Sequence, residues 1–198
     1  MTIHLRPQRI AFVAAVAGAL LLSLIGPPAL AQSTATPPPS GSTTPEQRGA
    51  THPDRNFFHE AARAGLVEVE ASKMALAKAD SAQVKQFAQR MIDDHTIAAK
   101  ELEALAQGKG VTLPKEPSRM QRTRLSGLES LSGPRFDARY AEFIGVDSHR
   151  QAVQLFERAS RRAQDADVRS FAAKTLPTLQ DHHKMAEQLA AAVTRAAR

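Results

Sequence analysis

The chain has 198 residues, with 26 Lys and Arg against 20 Asp and Glu, and contains neither cysteine nor tryptophan. Without cysteine there is no thiol nucleophile, no lipid-attachment site and no disulfide framework, so the fold must be held by its core alone. Setting Arg6 and Arg9 aside with a leader leaves 24 basic against 20 acidic side chains, too small an excess to argue for a nucleic-acid partner.

Residues 1–31 read as a secretory signal. Arg6 and Arg9 make a positive start, Ile10 to Ile25 is uncharged and apolar, and Ala29-Leu30-Ala31 forms an A-x-A cleavage pattern. An uncleaved membrane anchor is the competing reading, because the apolar stretch approaches the ~17 residues a span needs. Residues 32–54 are rich in Pro, Ser and Thr and include the run Pro37-Pro38-Pro39. Such a segment buries too little surface to offset its ordering entropy and reads as a disordered linker. The expected location is the periplasm or outer envelope.

Residues 55–196 read as one all-α domain, a four-helix bundle made of two helical hairpins and a long crossover. The first helix is expected from Asp54–Asn56 to Ala79, with a buried stripe of Phe58, Ala62, Gly65, Val69, Ser72 and Leu76. Glu68 and Glu70 flank that stripe. The short junction Ala79–Ser81 turns the chain back on itself. Asp80, with Gln83 three residues on, is the expected N-cap of the second helix. Its seam runs Val84, Phe87, Met91, Ala98, Leu102 and Leu105, with His95 as its one polar member, and Gly108 and Gly110 stop it.

The crossover Val111–Gly133 should hold a short helix capped by Ser118 and carrying Met120, Leu125, Leu128 and Leu131. The third long helix follows Ser132-Gly133-Pro134 and reaches about Ala163. His149 fills the gap in its stripe of Phe136, Tyr140, Phe143, Val146, Val153 and Phe156. After a turn at Gln164–Asp167 the fourth helix runs to about Arg195 on Val168, Phe171, Ala172, Thr175, Leu179, Ala186 and Leu189, with His182 among them. Pro177 should kink that helix. A faint repeat supports the pairing into hairpins: Val84, Phe87-Ala88 and Asp94-His95 recur as Val168, Phe171-Ala172 and Asp181-His182.

Counted from the two hairpin turns, at ~1.5 Å per residue, His149 and His182 differ in height by roughly 3 Å, and His95 and Glu68 by roughly 5 Å. Glu68, His95, His149 and His182 are therefore candidate ligands of a mid-bundle metal, with Asp94 and Asp181 orienting imidazoles from behind. Zinc, copper or iron suits an imidazole-rich mononuclear site. A carboxylate-bridged iron pair does not fit, since Ile92, Val146 and Leu179 stand where such bundles place the Glu of Glu-x-x-His. Two other readings stay open. The histidines could form a metal-free polar layer that fixes helix register, or a pH-sensing cluster, and His183 could face inward in place of His182. No glycine-rich phosphate loop or serine elbow is present, so a non-enzymatic role is expected. The clusters Arg119-Arg122-Arg124 and Arg158-Arg161-Arg162 read as solvated faces or as contacts to an anionic envelope surface.

The segments AGLVEVEASKMALAKADSAQVKQFAQRMIDDH, LSGPRFDARY, SHRQAVQLFE and FAAKTLPTLQDHHKMAEQL resemble the bacterial domain of unknown function 4142 family. The resemblance spans about Phe57 to Leu189 and matches at Glu68, Asp94, His95, Phe136, Asp137, Tyr140, His149, Pro177 and His182. It implies an exported protein with a ferritin-like fold and no established reaction.

Overall fold

A computed structural model describes residues 49–196, with side chains to residue 195. The leader read at 1–31 and most of the linker read at 32–54 lie outside the described residues. The described part is all-helical: α1 (His52–Lys78), α2 (Ala82–Gly108), α3 (Arg119–Glu129), α4 (Gly133–Tyr140), a π-helical segment (Ala141–Ser148), α5 (His149–Arg162) and α6 (Ala166–Ala196). None of these helices is long and apolar enough to cross a membrane.

The helix ends follow local chemistry. Thr51 caps α1 by accepting the Asp54 N–H, so the helix begins ahead of the expected boundary and Ala50 is already buried. Ser81, not Asp80, caps α2, accepting from Val84 N–H. With Ser81 as the cap, Val84 stands at N3, so the expected capping box of Asp80 with Gln83 does not form. α2 closes on a Schellman turn: Val111 N–H reaches Ala106 O, Gly110 N–H reaches Gln107 O, and Gly110 takes φ +66°. Ser118 and Gln121 form the capping box of α3, although Met120 points to solvent.

Two buried carboxylates tie the hairpins together. Asp54, at the start of α1, accepts from the Gln164 and Asp165 N–H groups in the α5–α6 turn. Asp137, in α4, accepts from Ser81 N–H in the α1–α2 turn. These contacts fix the directions of the rods. The α4–π–α5 rod runs parallel to α2 and antiparallel to α1, so the 109–132 connection must travel the full length of the molecule.

α1 is rotated from expectation. Its buried face carries Ala61, Val67, Ala71 and Ala75 with Glu68 among them, while Leu76 is exposed. Alanines give little hydrophobic contrast, so Val69 and Leu76 drew the predicted stripe off the true one. α6 continues through Pro177, whose side is exposed. The apolar interior falls into two clusters. One gathers Phe87, Met91, Leu128, Phe136, Tyr140, Ile144 and Leu189, and the other Phe57, Phe58, Leu102, Phe156, Phe171 and Leu179. A polar layer lies between them.

Candidate metal centre

His95 on α2, His149 at the start of α5 and His182 on α6 make that layer, and all three are buried. Their rings form a nearly equilateral triangle, with centroid separations of 5.4, 5.4 and 5.3 Å. One ring nitrogen from each lies within 4.8 Å of the others. The structure selects His182 over His183, which is partly exposed and faces Glu187.

Each ring is held by one nitrogen, leaving the other to face inward. His149 Nδ1–H donates to the Ile144 carbonyl at 2.9 Å. The π-helical segment makes this possible. There the His149 N–H bonds Val146 O and leaves the Ile144 carbonyl to its ring, while the Ser148 hydroxyl donates to Phe143 O. His182 Nε2–H donates to Asp94 Oδ2 at 2.8 Å, leaving Nδ1 buried without a partner. His95 Nδ1 lies 3.1 Å from Glu68 Oε2, and its Nε2 lies 3.3 Å from His149 Nε2.

The four expected ligands therefore meet, but not as equals. Glu68 is fully buried, yet it stands behind His95 and reaches only outer nitrogens, with Oε1 3.9 Å from His149 Nδ1. Asp94 accepts from His182 Nε2 and also takes Arg90 Nε at 3.3 Å. Asp181 is exposed and acts on His182 only through its charge. Sequence reasoning missed the Ile144 carbonyl, which no residue type announces, and the buried Ser72–Tyr140 hydrogen bond of 2.8 Å.

Burial governs the charges. It pushes the Glu68 carboxyl up to about 8. It pulls His149 down to about 4 despite the opposing Ile144 bond, and holds His95 well below the usual imidazole range, with the charges of its two neighbours adding. Burial lowers His182 too, against the pull of Asp94. The layer thus holds neutral imidazoles, whose lone pairs are available to a cation.

The dimensions fit one ion. A triangle of this size has its centre about 3.1 Å from each ring centroid, one ring radius beyond a ~2.0–2.1 Å metal–imidazole bond. The 3.3 Å between His95 Nε2 and His149 Nε2 is the spacing of two ligands on a tetrahedral ion with such bonds. Tetrahedral ligands lie about 3.3 Å apart, so the widest separation, no more than 4.8 Å, closes by up to about 1.5 Å when the ion enters.

Among known proteins, the family described as Domain of unknown function (DUF4142) matches residues 39–189. No curated protein matches the chain. The crystal structure of a DUF305 fragment from Deinococcus radiodurans superposes with a TM-score of 0.64 at 14% identity, covering 72% of this chain and 98% of that one. At that identity the likeness concerns the fold.

Proposed function

The chain belongs to the DUF4142 family, and on that premise we propose that it is an exported, ferritin-like four-helix bundle holding one transition-metal ion on His95, His149 and His182. The observation that carries this reading is the convergence of three buried imidazoles, each fixed through its outer nitrogen by Glu68, the Ile144 carbonyl or Asp94. Metal-ligating histidines are supported in this way, because the outer hydrogen bond sets the tautomer and the ring direction. Glu68 is a supporting carboxylate in this site rather than a ligand. Zinc and copper suit three neutral imidazoles, with iron as the further candidate. The ferritin-like reading is supported by the parallel middle rods and the full-length crossover between them. Export is supported by the leader pattern in residues 1–31.

A metal-free register layer is the second reading, and one contact favours it: a hydrogen bond from His95 Nε2 to His149 Nε2 would link the rings without an ion. It leaves His182 Nδ1 buried and unpaired, a cost of about 1–3 kcal/mol that a bound cation removes. Elemental analysis separates the two, using protein purified without a polyhistidine tag and challenged with zinc, copper and iron. About one ion per chain is expected, and His149→Ala should lose it. Content far below stoichiometric with all three metals would overturn the proposal.

A further inference from the structure

We infer, resting on the three-histidine reading, that the ion keeps one coordination position free and offers it to a cavity that takes a small organic molecule with an apolar body and an anionic head such as a carboxylate. Three protein ligands are the number found where a metal retains an exchangeable position, the fourth being filled from outside. The carboxylates of the layer stand at outer nitrogens: Glu68 Oε2 at His95 Nδ1, Asp94 at His182 Nε2, and Glu68 Oε1, which has no hydrogen-bond partner, 3.9 Å from His149 Nδ1. Among the described residues the atoms that cluster closely enough to share an ion come from the three histidines.

The space for an outside ligand lies beside the layer. A cavity of about 910 Å³ reaches from exposed residues such as Glu70, Lys100 and Lys115 inward to His95 and His182, whereas His149 is not part of its wall. That volume falls in the ~300–1,000 Å³ range of small-molecule sites. Ala61, Gly65, Ala98, Leu102, Phe171 and Leu179 give the walls an apolar stretch between the charged mouth and an inner end where His95 and His182 stand with Glu68 and Asp94. An apolar stretch that ends at the imidazoles fits a molecule with one coordinating end. An anionic head matches a dication whose own ligands are neutral.

Gly65 supplies a way to block the space. A Cβ added there meets nothing within 4 Å, so Gly65→Leu extends into the cavity while leaving the helix backbone in place. Cobalt(II)-loaded protein, followed by its visible spectrum, would be titrated with azide and with acetate, hexanoate and octanoate. Cobalt content would be read on the same samples. Azide should perturb the spectrum, carboxylate affinity should rise by up to ~4-fold per methylene, and Gly65→Leu should weaken octanoate by at least about 10-fold relative to acetate. Loaded protein indifferent to azide and carboxylates overturns this inference and leaves the metal reading standing. Equal affinity for acetate and octanoate, or octanoate binding untouched by Gly65→Leu, also overturns it. A chain that takes up neither cobalt nor zinc, copper or iron defeats both.

Discussion

Between His95 Nε2 and His149 Nε2 there is room for one hydrogen or one metal ion, and the surrounding bonds determine which proton leaves when the ion enters. His149 donates its Nδ1–H to the Ile144 carbonyl, an acceptor only, so its Nε2 carries a lone pair. Without an ion, His95 must donate from Nε2, its Nδ1 is then bare, and Glu68 has to supply the next proton. Burial favours that protonated Glu68. With an ion, His95 keeps its proton on Nδ1 and Glu68 is ionised. Metal uptake near pH 7 is therefore expected to release about one proton per ion. Titration calorimetry in buffers of different ionisation enthalpy reads this directly, and a heat independent of buffer would rule it out. Glu68→Gln should lower metal affinity by ~10–100-fold, because a neutral amide oxygen is a weaker acceptor for His95 Nδ1–H than the carboxylate that ionises on metal uptake. The spacing of the sequence placed Glu68 and His95 within roughly 5 Å of each other in height. It could not reveal that the carboxylate sits behind the ring, since that depends on the rotation of α1, whose alanine-rich face barely marks itself.

At the scale of the element, the segment before His149 shows what periodicity can hide. The buried positions Phe136, Tyr140, Ile144, His149, Ala152 and Phe156 advance by three or four residues except for one five-residue step, from Ile144 to His149. That step is the π-helical widening, and a regular 3.6-residue reading passes over it by choosing Phe143 and Val146 instead. Gly145 lies inside the widened segment against α6, where an added Cβ would come within 2.8 Å of Ala186 Cβ. Gly65 has the opposite surroundings, with open space where its Cβ would be. The same substitution should thus change sign between the two. Gly65→Ala is expected to stabilise by about 0.5–1 kcal/mol through helix propensity, and Gly145→Ala to destabilise by about 1–3 kcal/mol through overpacking. Urea unfolding of both variants tests the contrast, and equal effects would show that the α6 contact yields easily. The caps were more legible than the stripes: Ser118 and Gly110 act where their residue types predict, and the α2 cap moved only from Asp80 to Ser81.

On the scale of the whole molecule, the polar layer divides one interior into two apolar clusters and makes stability answer to pH. The lengths of the helices and turns were enough to place the layer at mid-height. The rod directions, by contrast, rest on Asp54 and Asp137 reaching across to the opposite hairpin turns, which no local pattern announces. In the metal-free protein the three histidines have folded pKa values below the ordinary imidazole value of 6.5. Below that pH the unfolded chain binds more protons, so stability falls as pH falls. Glu68 works the other way. Its folded pKa of about 8 lies above the ordinary 4.5, so the folded chain holds a proton the unfolded chain gives up, and stability falls as pH rises toward 8. The metal-free thermal midpoint should therefore peak between about pH 6 and 7 and decline on both sides. A bound ion keeps Glu68 ionised and the imidazoles neutral, which removes the alkaline decline and steepens the acid one, since protons then compete with metal as well. Scanning calorimetry at about pH 5, 6.5 and 8, with and without zinc, would resolve the two profiles. A metal-free midpoint that stays level across that range would mean that the buried layer exchanges no protons on unfolding, and the tautomer argument for His95 and Glu68 would fall with it.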